Sequence, residues 1–179
     1  MKKLLWALVP VMALMLSCEK QMFNSNSPNG EKKFGAVENG VKVPFKGTMV
    51  GIPTSVFNDC IPGQPIVKSM MLGGSGSHGG EIQVSKSWWT ANTCQFDAGN
   101  MLLVEEGDGV VTVDNGDSYN IHAVVTNTLT SMTFTGKVII DGGTGKFQGC
   151  KGEIDMINGR FQADQTLVWD ATGYIIFAK

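Results

Sequence analysis

The feature that most constrains this chain is a tetrapeptide, Asp114-Asn115-Gly116-Asp117, set between two runs of alternating apolar residues. Val111 and Val113 lead into it, and Tyr119, Ile121, Ala123 and Val125 alternate on the way out. Period two is the spacing of side chains along one face of a strand, whereas a helix repeats every 3.6 residues. Asn-Gly supplies the positive φ angles that a tight hairpin turn demands, so two antiparallel strands are predicted here. The rhythm recurs along the chain. Val43, Phe45, Gly47 and Met49 alternate with Pro44, Lys46 and Thr48, and Ile82, Val84 and then Trp88-Trp89 mark a further strand. Met132, Phe134, Val138 and Ile140 line one face of another, with Thr133, Thr135 and Lys137 opposite. After the Gly142-Gly143-Thr144-Gly145 turn come Ile154 and Met156, facing away from Lys151, Glu153 and Asp155. Asn158-Gly159 reads as a hairpin turn, and residues 167–169 and 174–177 close the chain. Seven or eight short strands with glycine turns predict an all-β sandwich or closed barrel. A final apolar strand favours closure, because it needs a partner to hide its edge.

The amino terminus reads differently. Lys2 and Lys3 supply a positive start, residues 4–16 are apolar apart from Pro10, and the chain turns polar at Glu19. A charged start, a short apolar core and a small residue before the cut are the parts of a secretory signal. The apolar run is shorter than the roughly 20 residues a membrane-spanning helix needs. Met15-Leu16-Ser17-Cys18 resembles the lipobox of bacterial lipoproteins, although Leu16 stands where that family prefers a small residue. The resemblance implies that Cys18 becomes the first mature residue and carries several acyl chains; two or more such chains anchor a protein stably. The alternative is an ordinary secretory signal with an incidental cysteine. Residues 19–39 are rich in Asn, Ser, Gly and Lys and read as a flexible tether. The expected organisation is a signal peptide over 1–17, a lipidated Cys18 with its tether over 18–40, and a β-barrel domain over 41–179. The expected location is the bacterial cell envelope, lipid-anchored, at the outer membrane and facing either the periplasm or the surface. The net charge of −2 falls further once Lys2 and Lys3 are removed. With no basic patch interleaved with aromatics, a nucleic-acid partner is not expected.

Three segments resemble the small bacterial members of the allene oxide cyclase-like and dirigent-like barrels. They are Gly74-Ser75-Gly76-Ser77-His78-Gly79-Gly80, the Asn115-Gly116-Asp117 turn, and Gly142-Gly143-Thr144-Gly145-Lys146-Phe147-Gln148-Gly149 with Gly152 beyond. The resemblance covers residues 45–177. It implies one antiparallel, eight-stranded, calycin-like barrel with an interior for side chains or one small apolar ligand. It brings no catalytic residues, because no motif here matches those of the plant enzymes. Cys150 stands where such relatives carry alanine, which implies a small buried position.

Other motifs are weaker. Gly74-x-Gly76-x-x-Gly79 matches a dinucleotide fingerprint formally, but residues 81–89 read as a strand where that motif needs a helix. Gly145-Lys146 lacks the Ser/Thr and the first glycine of a phosphate loop, their places being taken by Phe147 and Ile140. His78 and His122 are the two histidines, and neither joins a cluster with zinc-ligand spacing. Each reads as structural or surface-lying before it reads as a ligand contact, and which face of His122's strand points inward stays open. Asp108, Asp114 and Asp117 read as turn aspartates bonding their own backbone rather than as a calcium site. Trp88 and Trp89 face opposite ways, one toward the core and the other available to a ligand or partner. No cofactor and no metal is expected. Export permits disulfides; with Cys18 lipidated, a Cys60–Cys94 bridge is predicted from their loop-like surroundings, leaving Cys150 a buried free thiol. The leading functional expectation is a membrane-anchored, non-enzymatic barrel that binds a small apolar ligand or a protein partner. The competing one is an isomerase or cyclase acting on a small apolar substrate held in the barrel.

Overall fold

The computed structural model describes residues 40–179; the expected signal segment, Cys18 and the expected tether up to residue 39 lie outside the described residues. Nine strands follow in order: β1 (Val41–Ile61), β2 (Gln64–Gly76), β3 (Gly80–Glu81), β4 (Trp88–Asp97), β5 (Leu102–Thr112), β6 (Ser118–Thr128), β7 (Thr133–Gly143), β8 (Lys151–Phe161) and β9 (Leu167–Phe177). They form one sheet in the order β1-β9-β8-β7-β6-β5-β4-β2-β3, and β1 also pairs with β2. Eight strands therefore close into an antiparallel barrel, with the two-residue β3 attached to β2. Closure hides the apolar edge of β9 by pairing it with β1, residues 41–51 against 167–177.

Alternation sorts the side chains into the barrel wall's two faces. Phe45 and Met49 on β1, Trp89 on β4, Tyr119, Ile121, Ala123 and Val125 on β6 and Trp169 on β9 are buried in one continuous core. His122 and Val124 lie on the outer face of β6, which resolves the facing that period alone left open. The ends are closed by different means. At one, Phe147 from a short 3-10 turn is wholly buried, 4.9 Å from the Tyr119 ring and 5.7 Å from Phe177. At the other, Ile61 and Ile66 from the β1–β2 hairpin pack with Leu103 in a separate small cluster.

Several local readings change. The segment expected to run as a strand through Ile82 and Val84 is broken: Ile82 makes a single bridge to Val113, and Val84–Lys86 is a 3-10 turn. It breaks because it has to bridge β2 and β5, with Ile82 N–H bonded to Gly74 O and Gln83 N–H to Thr112 O. Asn158-Gly159 is a bulge inside β8, not the turn. A Cβ on Gly159 would stand 2.4 Å from the Phe134 ring, and Asn158 takes φ 56, which asparagine tolerates. The chain reverses later, at residues 162–166, where Gln162 N–H bonds Thr166 O. In the Asp114–Asp117 turn only Gly116 takes positive φ (88°), so this is a three-residue hairpin loop and not the two-residue type. Cys60 and Cys94 sit within β1 and β4, so the loop-like sequence around each is strand.

Candidate interior site

The barrel interior holds a cavity of about 50 Å³, against the roughly 10–15 Å³ needed for one water. Its wall is almost wholly apolar and includes Met49, Met70, Trp89, Ile121, Val125 and Trp169, drawn from five strands. Three of the wall residues are methionines (Met49, Met70, Met156). Their unbranched, flexible side chains let such a wall adapt to the shape of an occupant.

Polar groups on the inner face are few and concentrated. Glu105 shares its strand face with Leu103 and Val111, and is 6% exposed. Asn127, 3% exposed, donates from Nδ2 to the Glu105 Oε2 at 2.9 Å, while Oε1 is buried without any protein partner. Burial pushes the Glu105 carboxyl up to about 7, and the Asn127 hydrogen bond draws it partly back. Its direct cross-strand neighbour on β6 is Val125, a wall residue, so the carboxyl sits one layer from the cavity. The Trp89 indole N–H is likewise buried with no protein acceptor. Tyr119, also in the wall, has its phenol held well above the ordinary range by burial, with the nearby Cys150 adding to the rise.

The residues singled out from sequence divide around this site. Trp89 lines the cavity at 3% exposure, whereas Trp88 is 46% exposed on the outer face. His122 is outside the barrel, its Nδ1 2.9 Å from Asp108 and its Nε2 3.1 Å from Glu106. His78 lies exposed in the loop between β2 and β3, at φ 64. Neither histidine reaches the interior. Asp114 and Asp117 are in the hairpin loop, where Asp117 accepts from Asn115 Nδ2 and from Lys146 N–H. Among the described residues no group of three His, Cys, Asp or Glu side chains is placed to hold a metal ion. Cys60 and Cys94 are disulfide-bonded with Cα atoms 5.9 Å apart, and Cys150 is free and buried. Burial pushes the Cys150 thiol up, away from the reactive thiolate. Glu105 and Asn127 were missed from sequence, yet the signal was present. Each continues the period-two face of its strand, Glu105 between Leu103 and Gly107, and Asn127 two residues past Val125.

Among solved structures, the chain is similar to a dirigent protein. The structure is that of the pterocarpan synthase dirigent protein GePTS1, at 13% identity, covering 89% of this chain and 99% of that one, with a TM-score of 0.42. A likeness at that score carries no argument about activity. No protein-family model matches the chain, and no curated protein does either.

Proposed function

We propose that this chain is an exported lipoprotein, anchored in the bacterial envelope through Cys18, whose barrel holds a small apolar molecule without transforming it. The observation that carries the binding part is the apolar interior cavity, lined by adaptable methionines and two tryptophans. A ligand entering it gains by leaving water, at roughly 25 cal/mol for each Å² of apolar surface buried. The anchor rests on the lipobox-like Met15-Leu16-Ser17-Cys18. A membrane is then a partner through the acyl chains.

One observation favours a second reading, an isomerase or cyclase acting on a small apolar substrate. Glu105, its carboxyl pushed up to about 7, can take or give a proton at neutral pH next to Val125 of the cavity wall. Binding is preferred because, among the described residues, Asn127 is the side chain hydrogen-bonded to Glu105, and the wall offers little to stabilise developing charge.

Native mass spectrometry of the full-length gene product, extracted from its own host in detergent, tests both parts at once. The expected species begins at Cys18, carries acyl chains and retains a small-molecule adduct that is lost on denaturation. A species still carrying residues 1–17, or lacking acyl chains, overturns the anchor. A bare protein mass overturns the ligand-holding barrel.

A further inference from the structure

Beyond the three residue pairs that join β2 to β4, the Cys60–Cys94 disulfide ties the β1–β2 hairpin to β4. Both cysteines are partly exposed, so the bridge lies within reach of a thiol in solution. Cys94 is the direct cross-strand partner of Glu105. Directly opposed residues of an antiparallel pair share a face, with Cβ atoms about 5 Å apart. The next pair along that face, Phe96 with Leu103, packs in the small cluster that also takes in both cysteines. Asn127 is the partner of Leu103 on β6, and it holds the Glu105 Oε2 from that layer. The carboxyl therefore leans toward the barrel end that the disulfide closes, with Oε1 buried and unpartnered. Burial pushes it up to about 7, so below neutral pH it keeps a proton to give. Among the described residues, the other buried ionisable side chains are the Tyr119 phenol and the Cys150 thiol, which lie with Phe147 at the opposite end. The charges on the hairpin are Asp59, exposed beside Cys60, and Lys68, over the Phe57 ring; Asp97 of β4 and Glu106 of β5 are exposed.

We propose that Cys60–Cys94 is an exchange-active disulfide, opened by an external dithiol that attacks Cys60 while Glu105 gives a proton to the departing Cys94. A thiolate of the dithiol bonds to the Cys60 Sγ, the bond between the two Sγ atoms breaks, and its electron pair goes to the Cys94 sulfur. The Glu105 proton passes to that sulfur, leaving a carboxylate and a Cys94 thiol, and water reprotonates the carboxylate. The second thiolate of the dithiol then attacks the first sulfur. Cys60 leaves and takes a proton from water, and the dithiol departs as its cyclic disulfide, having supplied both electrons. A sulfur that is protonated as it departs leaves faster, which selects Cys60 as the one attacked. Opening frees the hairpin from β4 except where residues 69–71 pair with 88–90. None of this depends on an occupant of the cavity.

The test is reduction of the full chain in detergent. Brief reaction with mercaptoethanol, quenched with acid and mapped by peptide mass, is expected to place the mixed disulfide on Cys60 and leave Cys94 as the free thiol. Reduction by dithiothreitol, its rate divided by the thiolate concentration, is expected to be about tenfold or more faster at about pH 6 than at about pH 8.5. Glu105 holds its proton only at the lower of the two. Glu105→Gln slows the thiolate-corrected rate at about pH 6 and levels the profile. A mixed disulfide on Cys94, or on both cysteines equally, overturns the proposal. So does a thiolate-corrected rate that is level or rises with pH in the unaltered protein. Both outcomes are read on the unaltered protein, so they stand even if the variant fails to fold.

Discussion

Between β9 and β1 the barrel is closed by a ladder in which residues 41–51 pair with 167–177 without a break, whereas between β2 and β4 only Ser69, Met70 and Met71 pair, with Thr90, Trp89 and Trp88. The long seam is held by a continuous backbone ladder, with core packing on its inner face and Lys42 over the Tyr174 ring. The short seam is held by something else on either side of its three pairs. On one side the Cys60–Cys94 disulfide ties the β1–β2 hairpin to β4, beside the Ile61, Ile66 and Leu103 cluster. On the other, residues 80–87 fill the gap between β2 and β5, and Ser87 both donates to Thr112 O and accepts from Thr112 N–H. The difference teaches that where strands splay too far to share a ladder, a covalent tie and buried side-chain hydrogen bonds can complete a barrel. It also locates the site. Glu105 pairs with Cys94 across the β4–β5 ladder, so this buried carboxyl lies next to the short seam.

The comparison breaks most visibly at the disulfide. Replacing Cys60 and Cys94 by serine should cost about 3–4 kcal/mol, the loop-closure entropy expected for a 34-residue separation. Denaturant titration reads the loss, and hydrogen exchange should quicken at residues 69–71 and 88–90 while 41–51 and 167–177 keep their protection. Equal quickening at both seams would erase the distinction.

A comparable effect follows from Glu105. Its carboxyl is raised in the folded state from 4.5 to about 7, so the folded protein keeps a proton that the unfolded chain releases. The stability this supplies is fully present below about pH 4.5 and is lost as pH rises to about 7, a span on the order of 3 kcal/mol. Urea midpoints measured across that range should fall in the unaltered protein and stay level in Glu105→Gln. A flat profile in both would mean that the carboxyl is not buried as described.

The smallest expected effect is at Ser87, 1% exposed. Ser87→Ala leaves Thr112 N–H and Thr112 O without their partner and should cost about 1–2 kcal/mol. The loss should appear as faster exchange confined to residues 80–88, with the β9–β1 seam again unmoved.

Much of the architecture was legible because alternation and turn chemistry act locally. The face carrying Tyr119, Ile121, Ala123 and Val125 and the turn at Gly116 are recoverable from a dozen residues. Asn158-Gly159 shows the limit of that reading. The dipeptide has turn chemistry, but the Phe134 ring across the ladder needs the space above Gly159, so packing from another strand turned a hairpin signal into a bulge. β2 gave little warning either, because its buried residues Ile66, Met70 and Leu72 are interrupted by partly exposed Val67 and Met71 on the other face.

What the sequence determined by itself is the all-β class and the turns at Gly116 and at Gly142 to Gly145, since each depends on neighbours within a few positions. The tertiary structure alone decided which face is inside, because Val104, Val124 and Ile139 make the outer wall partly apolar too and period two cannot rank two such faces. It also decided that Glu105 has one oxygen answered by Asn127 and one by nothing. Those facts depend on which strands become neighbours and on what closure shuts away from water. Local spacing carries no information about either.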